Sequence, residues 1–143
     1  MPNNKPINLK ILKNIYNQCW SKETCHPLFK KYWKKYNRAI GQNDITALSI
    51  FSIFGGQILI CSRRGGVYLW NRLPNGQEID LVGWPHKLRI SELKKSMVVS
   101  ITDLMIFRNG KKDEYFTYSR FVLLHRKVFE LLRKDKDLLK DFT

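Results

Sequence analysis

The run from Asn43 to Phe54 constrains this chain more than any other. Ile45, Leu48, Ile50, Phe51, Ile53 and Phe54 spread over most of a helical circumference, and a helix that is apolar nearly all round has to be buried. Asn43 or Asp44 can cap its start by accepting from the first free amides. Gly55-Gly56 stops it, because glycine readily adopts the left-handed cap conformation. The rest of the chain must therefore supply a shell around one central helix.

The flanking segments supply it. Ile11, Leu12, Ile15, Tyr16 and Cys19 recur at the spacing of one helix face, so Ile7 to Trp20 reads as a helix packed on the central one. Gln57–Cys61 and Val67–Leu73 are short β runs, separated by the charged turn Arg63-Arg64-Gly65-Gly66. Pro74-Asn75-Gly76 carries hairpin-turn chemistry, and Gln77–Val82 alternates Ile79 and Leu81 with Glu78 and Asp80. An antiparallel sheet follows. Trp84-Pro85-His86 reads as loop, Ser91 as the start of a short helix, and the apolar stretch 97–107 receives no assignment. Thr117 is placed to cap a last helix whose face is Phe121, Leu124, Val128, Leu131 and Leu132. The expected class is α+β, one domain over 1–143: a buried helix on a small antiparallel sheet, flanked by N- and C-terminal helices.

Lys and Arg total 26 against 12 acidic residues, a formal charge of +14, which favours a polyanionic partner: nucleic acid or an acidic protein surface. No apolar run approaches the ~18–20 residues of a membrane helix, and the N-terminal Met1-Pro2-Asn3-Asn4-Lys5 is not a signal peptide, so a cytoplasmic protein without a membrane partner is expected. Cys19, Cys25 and Cys61 lack CxxC spacing, which argues against a disulfide framework or a zinc site. No cofactor and no metal are expected.

Leu28 to Arg38 interleaves Phe29, Tyr32, Trp33 and Tyr36 with Lys30, Lys31, Lys34 and Lys35. Aromatic stacking with phosphate contacts would suit single-stranded nucleic acid. The simpler explanation, favoured here, is an amphipathic helix that buries its rings and solvates its lysines. Lys30, Lys31, Trp33, Lys34, Lys35, Arg63 and Arg64 are the candidate binding residues.

Several motifs recur in order from about Trp20 to Val128. They are Trp20-Ser21-Lys22-Glu23-Thr24, Gly41-Gln42-Asn43-Asp44-Ile45-Thr46-Ala47-Leu48, Gly55-Gly56-Gln57, Trp70-Asn71-Arg72-Leu73 and Glu78-Ile79-Asp80-Leu81, with Thr117, Arg120-Phe121 and Leu123-Leu124 in the last helix. In these the chain resembles the YunG-like family of small bacterial proteins. The resemblance implies a papain-like arrangement: a cysteine at a helix N-terminus, a histidine on a strand, and an aspartate to orient it. The preceding glutamine would donate to an oxyanion. Gln42 and Asp80 match that pattern, but the cysteine position holds Asn43 and the histidine position Tyr68. Asparagine is not an ordinary nucleophile, and a phenol with pKa near ~10 is a poor base at neutral pH.

The resemblance thus implies a retained fold and a lost reaction: no catalytic residues, a degenerate site at Gln42, Asn43, Tyr68 and Asp80, and action by binding an acidic protein or nucleoprotein. Two alternatives stand beside it. One is a direct nucleic-acid binder. The other is an active hydrolase with a relocated nucleophile drawn from Cys25 or Cys61, with His26, His86 and His125 as the available imidazoles.

Overall fold

The structure is a computed structural model that describes residues 8–63, 66–83, 97–99 and 115–134. Helix α1 spans Leu9–Cys19, helix α2 Asn43–Phe54 and helix α3 Thr117–Lys134, with a 3-10 helix at Pro27–Tyr32. Strands β1 (Gln57–Arg63), β2 (Gly66–Arg72), β3 (Glu78–Ile79) and β4 (Met97–Val99) form one antiparallel sheet in the order β3-β2-β1-β4. The α+β expectation holds.

Helix α2 is central, as its composition requires. Ala47 and Leu48 pack with Ile58 and Leu69 on one sheet face. Ile45 and Ile50 join Leu12, Ile15 and Tyr16 of α1 and Leu124, Val128 and Leu132 of α3 in the main core. Gly55 ends the helix at φ 73°, its N–H bonded to the Phe51 carbonyl 2.8 Å away. The opposite sheet face carries Leu59, Cys61 and Trp70, all buried, with Tyr68 beside them. This alternation is the period-two signature of a strand, and it places Tyr68 on the face turned away from Ala47 and Leu48.

Four local expectations change. The cap position of α2 is Gln42, which makes no side-chain cap bond; Asn43 and Asp44 lie inside the first turn. Thr117 is likewise the first residue of α3, with its hydroxyl buried and without a hydrogen-bond partner among the described residues. The strand after the Pro74-Asn75-Gly76 turn is only Glu78–Ile79, because the chain turns away at Leu81. Within 97–107, Met97–Val99 pairs with β1.

The fifth change is the largest. The aromatic run is not an amphipathic helix: Leu28, Phe29, Tyr32 and Tyr36 are 60%, 45%, 55% and 87% exposed. A backbone bond from His26 N–H to the Gly41 carbonyl (2.8 Å) closes the whole segment into a loop. An eleven-residue helix over 28–38 would carry the chain ~16 Å away. The few residues left outside it would have to recross that distance nearly fully stretched. The loop therefore folds as one 3-10 turn and further tight turns. The expectations for Arg64, His86 and the helix from Ser91 lie outside the described residues.

Candidate functional site

Asn43, Tyr68 and Asp80 converge on one edge of β2. Leu73 N–H donates to the Gln77 carbonyl (2.8 Å), so Asn71, two residues back and paired with Ile79, also turns its N–H and C=O toward β3. Leu69 lies two residues back and presents its own pair to the same side. A longer β3 would meet Leu69 with residue 81. Instead, the Leu81 carbonyl turns to accept from Lys13 Nζ at 2.6 Å, and Val82 accepts from the same amine at 3.3 Å.

The Asn43 carboxamide takes the place left open. Its Nδ2 donates to the Leu69 carbonyl (2.7 Å) and its Oδ1 accepts from the Leu69 N–H (2.8 Å). Its two amide functions mimic the backbone of the missing strand residue. A cysteine cannot make that double bond, since it offers only a weak donor and a weak acceptor at one atom.

Tyr68 and Asp80 meet at the same edge, where the phenol donates to Asp80 Oδ2. Asp80 Oδ1 accepts from the Gly83 N–H at 3.3 Å. The fit at residue 83 is close: a Cβ there would stand 2.5 Å from Asp80 Oδ2 and 3.3 Å from the Tyr68 hydroxyl, so the carboxylate would have to shift to admit one. Lys13 stands close by; burial lowers its pKa, and the Asp80 charge partly offsets the shift. Its amine also lies 4.9 Å from the centre of the Trp20 ring.

Gln42 is fully buried beneath the Trp20–Thr24 loop. Its Oε1 accepts from Thr24 Oγ1 (2.8 Å), and its Nε2 donates to the Ser21 carbonyl (3.0 Å). The amide thus locks a loop onto the start of α2. The other motif residues do the same kind of work. Trp20 Nε1 donates to Thr46 Oγ1 (2.9 Å), and Asn71 Nδ2 donates to the Ala47 carbonyl (2.9 Å). Each is a tie between elements.

Asp44 and Arg120 form the tie that charge and spacing did not reveal. The Arg120 guanidinium makes a bidentate pair with Asp44, Nη2 to Oδ2 at 2.6 Å and Nη1 to Oδ1 at 3.2 Å. It also donates to the carbonyls of Thr24 (3.2 Å) and Tyr115 (2.8 Å). The pair is buried and separated by 76 positions, so only the family motif, with Arg120 in the last helix, marked it. A second unanticipated chain joins all three helices: Tyr16 hydroxyl to Ser49 Oγ (2.7 Å), and Ser49 Oγ to His125 Nδ1 (3.1 Å). The His125 ring is flanked by Phe121 and Phe129, and burial lowers its pKa.

Cys19, Cys25 and Cys61 are all buried, and none is in a disulfide. Burial raises the pKa of Cys25 and pushes that of Cys19 up to about 11, the reverse of what a reactive thiolate needs. His26 Nδ1 accepts from the Leu28 N–H at 3.2 Å, and its ring faces Phe29 and Tyr115. No group of three or more metal-ligating side chains occurs among the described residues.

Of the candidate binding residues, Lys30, Lys31, Lys34 and Lys35 are exposed and Trp33 is half-buried, its Nε1 donating to the Arg38 carbonyl (3.1 Å). Arg63 ends β1, across the sheet from Gly66. None of the described helices is long and apolar enough to cross a membrane.

No curated protein and no solved structure matches the chain. The model of one family, described as YunG protein, matches residues 8–131. That span runs from the cap of α1 through nearly all of α3 and takes in every tie described above, and the chain belongs to the YunG family.

Proposed function

We propose that this chain is a catalytically inactive, papain-like member of its family that acts by binding, as a basic or inhibitory module, an acidic protein or nucleoprotein partner in the cytoplasm. The observation that carries the proposal is the double hydrogen bond of Asn43 to Leu69. The position that would hold the nucleophile instead carries an amide that serves as backbone mortar.

The neighbouring Tyr68–Asp80 bond supports the papain-like ancestry. A histidine at 68 with a carboxylate at 80 would be a base and its orienting acid, and the pairing persists with the base replaced. The +14 charge supports an acidic partner. Buried cysteines outside any disulfide agree with a reducing compartment. The relocated-nucleophile alternative draws no support from Cys25, whose thiol pKa is raised.

The test is a pull-down from lysate of the native host, with and without nuclease, at low and moderate salt, alongside labelling with iodoacetamide. A discrete acidic partner retained after nuclease, with no thiol labelled selectively, is the expected result. A single fast-labelling thiol whose blockage abolishes an activity would overturn it.

A further inference from the structure

We propose that the loop surface Leu28–Tyr36 is a preformed platform for single-stranded nucleic acid, with Phe29, Tyr32 and Tyr36 stacking on bases and Lys30, Lys31, Lys34 and Lys35 holding phosphates. It rests on the reading of the chain as a binding module and assigns the contact to the nucleic-acid part of a nucleoprotein.

The three rings are 45%, 55% and 87% exposed, on a loop whose closure excludes the helix face that would have buried them. They are held outward rather than merely left outside. The loop is closed at its base by His26 and Gly41, braced by the Trp33–Arg38 bond, and tightened by the Asn37 N–H on the Lys34 carbonyl at 2.9 Å. Such bracing keeps the rings from collapsing onto one another. The row continues inward: Phe29 packs edge-on to His26 with centroids 5.6 Å apart, and His26 lies 4.4 Å from the Tyr115 ring.

Every nucleobase has a π face and every nucleotide a phosphate, which is the pairing of chemistries that rings interleaved with lysines can accept. Lys31 Nζ lies over the Tyr32 ring, 5.0 Å from its centre, so a base stacking on that face would displace the amine toward its phosphate. A duplex hides its base faces and can use only the lysines. An acidic peptide likewise has no need of Tyr36, the most exposed ring.

The experiment is fluorescence anisotropy of the full chain with labelled dT20, duplexed dA20·dT20, and poly-glutamate as competitor, at several salt concentrations. Tight dT20 binding over duplex is expected, with Tyr32→Ala and Tyr36→Ala each weakening it on the order of tenfold at fixed salt. Lys34→Gln and Lys35→Gln should each flatten the log–log salt slope by about 0.7. The rings are solvent-exposed, so melting curves of the variants should match the parent and separate lost binding from lost folding. If poly-glutamate or duplex binds as well and the ring substitutions change nothing, this assignment fails while the binding-module reading survives. If neither dT20 nor poly-glutamate binds, both fail.

Discussion

The edge of β2 and the 28–36 loop treat their side chains in opposite ways. At the edge, Asn43, Tyr68 and Asp80 each spend their polar atoms on a neighbour within the protein. On the loop, Leu28, Phe29, Tyr32 and Tyr36 are turned outward and leave apolar area in water. A satisfied polar cluster lowers the energy of the fold and has little left to offer a ligand. Exposed rings forgo burial worth ~1.5–3 kcal/mol each and gain only when something covers them. The contrast sets a cluster whose polar atoms are satisfied within the fold against a loop that leaves apolar area uncovered.

The strongest way to break the contrast is to remove the tie both regions share. Arg120 holds the Thr24 carbonyl at the root of the loop and Asp44 at the start of α2. Arg120→Ala leaves a buried carboxylate without its partner and should cost about 3–5 kcal/mol in urea unfolding. Asp44→Leu with Arg120→Met should cost clearly less, because neither charge is then stranded.

Next in size is Asn43→Ala. It strands the N–H and C=O of Leu69 and should cost about 1–3 kcal/mol. The double variant Asn43→Cys/Tyr68→His sharpens the ancestry: the new thiol should react with iodoacetamide at neutral pH faster than Cys19 or Cys25. Equal rates would remove the case for a papain-like site. Tyr68→Phe should cost about 1 kcal/mol, since Asp80 keeps the Gly83 N–H.

A smaller effect concerns pH. Burial lowers the folded pKa of His125, so the unfolded chain binds the proton more readily. Stability contributed by the neutral ring is complete above the unfolded value near ~6.5 and declines as pH falls through the lower folded value. A melting midpoint that drops between pH 7 and pH 5, and drops less in His125→Phe, is the expected result. At the bottom of the scale, Tyr36→Ser should change stability by less than ~0.5 kcal/mol. A larger loss would mean that the ring is structural, and the contrast between the regions would blur.

Local signals made much of this fold readable. Gly55 closes α2 where Gly55-Gly56 predicted, the Asn-Gly turn delivers its hairpin, and α3 follows its periodic face. The loop was misread because spacing alone cannot report loop closure. Phe29, Tyr32, Trp33 and Tyr36 do fall on one helical face, yet His26 and Gly41 must meet, and that contact spans 15 positions. The site residues were readable by position and not by partner. Asn43 is visible as a missing cysteine, but its bond to Leu69 depends on β3 being only two residues long, with the Leu81 carbonyl turned instead to Lys13 of α1.

That short strand has one more effect. A β-strand flank with unpaired N–H and C=O groups is a template on which another chain can add itself, the first step toward strand-exchanged dimers and fibrils. At Leu69 the Asn43 carboxamide already occupies those groups. Asparagine at position 43 therefore caps a strand edge from within and makes the protein less prone to self-association there.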